Sequence, residues 1–136
     1  MKIKALSIRQ PWADLVACGQ KTIETRTWAT KYRGWLLICA SKDKDYSDRT
    51  GCALALARLV ECRPMIEADE EEADCRVYDG AQAWVFDDIR PLPAIERFPV
   101  RGFPGLFDVR LPEGADLLPG QSVLADLIRE LAVPKG

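Results

Sequence analysis

The chain has 136 residues, 48% of them apolar and 29% charged, with a formal net charge of −2. These totals suit one soluble globular unit spanning residues 1–136, able to bury a core without staples, and exclude a disordered chain. The absence of histidine excludes Ser-His and Cys-His nucleophiles, HExxH zinc chemistry and imidazole bases.

In chain order, "ALSI" (5–8) reads as a first strand. "PWADLVACG" (11–19) predicts a short helix: Pro11 suits its start, Trp12, Leu15 and Val16 share a face, and Gly19 can end it in a left-handed cap. "KTIETRTW" (21–28) alternates with period two and is rich in threonine, so it predicts a strand. "GWLLICAS" (34–41) has the length of a strand buried on both faces, and "DKDYSDRTG" (43–51) reads as a polar loop. "CALALARLVECRPM" (52–65) has helix-forming alanines and leucines. The alternation of Cys52, Leu54, Leu56, Arg58 and Val60, ended by Pro64, favours a strand.

"IEADEEEADCRVY" (66–78) predicts an acidic helix with Asp69 as N-cap and Glu72 as its partner three residues on. "AQAWVFDDIRPL" (81–92) predicts a strand running into a proline corner. "FPVRGFPGLFDVRLP" (98–112) carries turn signals at Gly102 and Pro104-Gly105 before a last strand, Leu106–Arg110. Residues 119–134 predict a C-terminal amphipathic helix, with Val123, Leu124, Leu127, Ile128 and Leu131 at helical spacing and Pro134 as its stop. The fold class expected is mainly β: five or six strands in a compact β-barrel or strongly bent sheet, with helices against its openings. No βαβ alternation implies a doubly wound sheet.

Five cysteines, at 18, 39, 52, 62 and 75, form no C-x-x-C pair. Most of them read as small core residues, rather than a disulfide framework or zinc knuckle. No metal site and no cofactor are expected. No apolar run approaches the ~20 residues needed to cross a bilayer, and "MKIKALSIRQPW" lacks the apolar stretch of a signal peptide. A cytoplasmic location without membrane contact is the default. Charge is uneven: residues 1–58 hold eleven Lys/Arg against five Asp/Glu, and residues 59–136 hold eight against sixteen. The basic half permits an anionic partner; a protein partner for the acidic half is not specified.

In "GQKTIETRTW" (19–28), strand periodicity puts Thr22, Glu24, Arg26 and Trp28 on one side and Ile23, Thr25 and Thr27 on the other. Glu24 and Arg26 then lie about 6.5–7 Å apart along the strand. They suit either a structural ion pair or a donor-acceptor pair for a nucleobase edge, with Trp28 as a stacking face and Lys21 for a phosphate or carbonyl oxygen. In "WATKYRGW" (28–35), Lys31 and Arg33 are interleaved with Trp28, Tyr32 and Trp35, as on a single-stranded nucleic-acid surface or in a turn whose aromatics enter the core. "ASKDKD" (40–45) adds Lys42 and Lys44. "DEEEAD" reads as a solvated helix face, and the glycines of "VRGFPG" serve turns.

The string "LSIRQPWADLVACGQKTIETRTW", followed by "YRGWLLICASK", resembles the ASCH family of the PUA-like superfamily. The matching positions are Gln10-Pro11-Trp12-Ala13, then Gly19, Lys21, Glu24, Arg26 and Trp28, then Arg33-Gly34 and Ala40-Ser41-Lys42. The resemblance covers roughly residues 3–110. It implies a PUA-like β-barrel with a short helix after the first strand and a cleft beside that helix. Gln10, Trp12, Lys21, Glu24, Arg26, Trp28, Lys31, Arg33, Ser41 and Lys42 would serve it. It also implies binding of RNA, single-stranded nucleic acid or a nucleotide. One branch resembles amidohydrolases that deacylate N4-acylcytidine using Lys, Thr and Glu. Here Lys21 matches the lysine and Glu24 stands where the threonine does. Ribonuclease activity is also attached to the family. As an enzyme, the chain would use Lys21 to polarise a carbonyl and Glu24 to handle the proton. A third reading is a protein-interaction module.

Overall fold

The computed structural model describes residues 1–43, 45, 49–112 and 120–132. Six strands form one sheet: β1 (Lys2–Ile8), β2 (Ile23–Arg26), β3 (Gly34–Ala40), β4 (Cys52–Pro64), β5 (Gln82–Pro91) and β6 (Leu106–Arg110). The helices are α1 (Trp12–Ala17), α2 (Glu70–Ala73) and α3 (Val123–Ala132). The spatial strand order is β2-β5-β4-β3-β1-β6. β1 and β3 run parallel, with Leu6 beside Ile38; every other pairing is antiparallel.

β3 lies near the middle and is buried on both faces, as a continuous apolar run requires. Leu36 and Ile38 point into one core with Leu6, Ile8, Trp84, Phe86 and the α1 residues Ala13 and Val16. Trp35, Leu37 and Cys39 point into a second core with Ile3, Ala5 and the α3 residues Leu124 and Leu127. One helix thus covers each side of the sheet. The expected strand over 52–65 is β4, whose small alanines admit the close packing of both cores. Its register slips between Arg58 and Leu59 and again between Leu59 and Glu61; such irregularities bend a strand and increase its twist.

Two expectations change. Backbone pairing does not close a barrel: β2 and β6 remain the two edges of an open sheet. β6 pairs with β1 only over Lys2–Leu6, and β2 is four residues long, so a gap is left between them. The acidic segment forms a short 3-10 turn, Glu67–Asp69, and the single turn of α2 rather than one long helix. Asp69 reaches back to the Ile66 N–H (2.9 Å) instead of capping forward with Glu72. Residues 44 and 46–48 of the polar loop over 43–51, and the stop at Pro134, lie outside the described residues. Among the described residues no helix is long and apolar enough to cross a membrane.

Candidate functional site

The gap between the edge strands is a cleft of about 1050 Å³. Its walls come from the end of β1 (Ser7, Ile8), the start of α1 (Arg9, Trp12), β2 with its approach (Lys21, Glu24–Arg26), Ser41 and Lys42 after β3, Cys75 and Tyr78 after α2, and residues 99–105 before β6.

α1 is anchored by Gln10, which is buried. Its side-chain oxygen accepts from the Asp14 N–H (3.0 Å) and its amide donates to the Arg49 carbonyl (2.8 Å). Gly19 then turns the chain at φ 81°, its N–H bonded to the Val16 carbonyl (3.0 Å). The left-handed cap expected there is present. This turn delivers Lys21 to the floor of the cleft.

Lys21 is 2% exposed and Glu24 6% exposed. Lys21 Nζ lies 3.7 Å from Glu24 Oε1 and donates to the Ala73 carbonyl. Glu24 Oε1 also accepts from the Thr25 N–H (2.9 Å), and Glu24 Oε2 pairs with Arg26 Nη2 (3.2 Å). One carboxylate thus ties two cations. Arg26 Nη2 also donates to the Ser7 carbonyl (2.8 Å). That carbonyl is free for the contact because β6 stops pairing at Leu6. A side chain therefore bridges the place where a closed barrel would have a backbone ladder. The Nε–H of Arg26 is buried and has no hydrogen-bond partner. The Ser7 and Ser41 hydroxyls lie 3.2 Å apart, and Thr25 Oγ1 is 3.9 Å from Cys75 Sγ.

The rim is basic and aromatic. Arg9, Lys42 and Arg101 join Lys21 and Arg26, against Glu24, the single lining carboxylate among the described residues. Three rings that line the cleft are open to solvent: Trp12 (42%), Tyr78 (41%) and Phe103 (50%). The Arg101 guanidinium sits 5.5 Å from the Phe103 ring centre. Cys75 and Tyr78 are held by the turn that Arg63 clamps. Arg63 meets both Asp69 oxygens, at 2.6 and 2.8 Å. Those hydrogen bonds hold the Asp69 carboxyl below its ordinary range. Outside the cleft lining, at the start of β4, burial pushes the Cys52 thiol up. Among the described residues no three His, Cys, Asp or Glu side chains gather closely enough to hold a metal ion.

Of the sequence-derived candidates, Trp12, Lys21, Glu24, Arg26, Ser41 and Lys42 line the cleft. Gln10, Trp28, Lys31 and Arg33 do not line it. Gln10 caps α1. Trp28 packs edge-on against Trp84, ring centres 4.8 Å apart, and its carbonyl accepts from the Trp84 indole. Lys31 is exposed elsewhere. Arg33 folds back onto the Thr30 and Tyr32 carbonyls (2.9 and 2.8 Å). Sequence reasoning missed Ser7, Arg9, Thr25, Cys75, Tyr78 and the whole 99–105 wall. Gly102 was a readable signal: a Cβ there would fall 2.7 Å from Ser7 Oγ, a close approach that glycine permits.

A family model described as the ASCH domain matches residues 6–95. Two curated relatives, each called activating signal cointegrator 1, from Mus musculus and Homo sapiens, are 27% identical over 135 aligned residues. The match takes in 81% of this chain and 23% of each relative, so the chain spans about a quarter of their length. Among solved structures, an ASCH protein from Zymomonas mobilis superposes with a TM-score of 0.52 at 17% identity, over 65% of this chain and 69% of that one. That likeness concerns the fold.

Proposed function

Because the chain belongs to the ASCH domain family, we propose that its cleft binds unpaired nucleic acid, RNA above all, or a nucleotide. The observation that carries this is the combination of an ion-paired floor with a rim of free cations and open aromatic rings. Exposed Arg9 and Lys42 have no ion-pair partner among the described residues. Cations of this kind suit phosphates, and Trp12, Tyr78 and Phe103 suit base faces. The chain is acidic as a whole, so the clustering is local and not a by-product of composition. Five free thiols are consistent with the reducing cytoplasm we assign to it.

Fluorescence anisotropy with a single-stranded RNA tests the reading. Affinity is expected to fall as salt rises, with a slope of roughly 0.7 per phosphate engaged. Lys42→Ala or Arg101→Ala should each lower that slope by about one contact's worth. Binding that is absent, or flat with salt, refutes the proposal and favours a protein-interaction surface.

One observation favours a second reading, hydrolysis of an acylated cytidine. Lys21, Glu24 and Thr25 all line the same cleft, so the residue types that such chemistry uses are present in it. Against it, Lys21 Nζ is engaged with Ala73 and Glu24. Turnover of N4-acetylcytidine that vanishes in Thr25→Val would establish an enzyme; no turnover by the unsubstituted chain leaves binding alone.

A further inference from the structure

None of the described α3 residues lines the cleft, yet a chain of contacts joins the two. α3 starts on a carboxylate supplied from far away in sequence. Glu96, in the 3-10 turn Ala94–Glu96, accepts from the Ser122 hydroxyl, the Val123 N–H (3.0 Å) and the Leu124 N–H (3.3 Å). It thereby satisfies amides that have no partner inside the helix, at the end where the helix dipole favours a negative charge. The Ser122 hydroxyl accepts in turn from the Ala125 N–H (3.0 Å). The cap thus has a local part, Ser122, and a remote part, Glu96.

Glu96 stands just before the strip that becomes the 99–105 wall. There the Phe98 carbonyl accepts from the Ala53 N–H and the Val100 N–H donates to the Gly51 carbonyl, both at 2.9 Å. Phe98 and Val100 pack on the core that holds Leu124 and Leu127 of α3, and so do Phe107 and Val109 of β6 at the wall's far end. The tip is tied back to the same place: the Arg101 guanidinium stacks on Phe103, whose ring meets Phe107 edge-on with centres 5.6 Å apart. Arg101 to Pro104 make no main-chain hydrogen bond with other described residues, so this stretch inherits its position from its two ends. We propose that Glu96 is a positioning residue for the cleft: by fixing the start of α3 it holds the wall where Arg101 and Phe103 meet a bound strand. This role rests on the nucleic-acid reading of the cleft.

The test is a pair of double-mutant cycles, read by anisotropy with a single-stranded RNA well below the unfolding midpoint of every variant. Glu96→Gln keeps the shape and one acceptor oxygen but removes the charge and turns the other oxygen into a donor facing helix amides. It should weaken RNA binding about as much as Arg101→Ala does, and lower the salt slope by about one contact. In the Arg101→Ala background it should change affinity by no more than a factor of about two, because the contact it positions is already gone. With Trp12→Ala, whose ring stands on α1 against the other core, the two losses should multiply to within the same factor. Should Glu96→Gln fail to fold by circular dichroism, Ser122→Ala keeps the remote carboxylate, removes its hydroxyl partner and should show the same pattern with a smaller loss. Unchanged RNA affinity and slope in the capping variant overturn the inference alone, as does a loss that multiplies with that of Arg101→Ala. Equal coupling to Arg101 and to Trp12 marks a general loosening of the fold and also overturns it. No RNA binding by the unsubstituted chain overturns this inference together with the proposed function.

Discussion

Glu24→Gln is the most informative single change. The substitution preserves shape and leaves an amide oxygen for the Thr25 N–H, but removes the charge that Lys21 and Arg26 share. Breaking a buried ion pair from one side costs about 3–5 kcal/mol. Two features reduce that here. The Arg26 side chain is 25% exposed and keeps the Ser7 carbonyl, and Lys21 keeps the Ala73 carbonyl. An expected loss of about 2–4 kcal/mol remains, because a lysine 2% exposed is left without a counterion and faces a second cation. Urea unfolding followed by tryptophan fluorescence measures it, with an unchanged m-value as the check on two-state behaviour. RNA affinity of the folded fraction should hold or rise, since a negative charge leaves the cleft. A stability change below about 0.5 kcal/mol, the usual scale of a surface substitution, would refute the view that Glu24 pins the floor. Loss of binding without loss of stability would instead make Glu24 a ligand acceptor.

Three further outcomes are expected. Trp28→Ala should lower stability by about 2–4 kcal/mol through its lost packing on Trp84 and leave the salt slope of RNA binding intact, whereas Trp12→Ala should weaken binding with little change in the unfolding midpoint. Gly102→Ala should cost about 1–3 kcal/mol as the wall is pushed off Ser7 Oγ, and Ser7→Ala should recover most of that in the double variant, as a mutant cycle in urea will read. The Asp69 carboxyl sits lower in the folded chain than in the unfolded one, chiefly through its Arg63 hydrogen bonds. Its contribution is therefore complete above the ordinary carboxylate range and fades as pH falls through the lower folded value. Asp69→Asn should be less stable at pH 7 by about 1–3 kcal/mol, with the gap to the parent chain narrowing below about pH 4.

Much of this architecture was legible from local pattern. The threonine-rich alternation located β2, the unbroken apolar run located a doubly buried β3, and Leu106–Arg110 is the last strand as expected. The Lys21, Glu24 and Arg26 cluster followed from strand periodicity and a glycine turn. What escaped depends on chain segments far apart in sequence. Thr25 lies on the opposite side of β2 from Glu24 by parity, yet it reaches the cleft because the strand ends one residue later and Cys75 packs beside it. Trp28 shares parity with Glu24, but lies beyond the end of the strand, where Trp84 claims it. The parallel pairing of β1 with β3 and the return of residues 99–105 arise from the whole topology, which no window of ten residues encodes. Barrel closure failed for a similar reason: the pairing of β6 stops at Leu6, a length set by the turn at Gly105 (φ 73°).

The 99–105 wall hangs between two fixed posts. On one side Pro99 bridges Cys52 and the Val100 N–H bonds to the Gly51 carbonyl; on the other, β6 begins at Leu106. Between them, Arg101 to Pro104 are exposed and Gly105 is partly buried, and all five line the cleft rather than either core. The segment is thus a replaceable panel. Exchanging it for another of equal span would reshape what the hollow accepts while the sheet behind it stays put, giving evolution or a protein engineer a way to retune the receptor without rebuilding it.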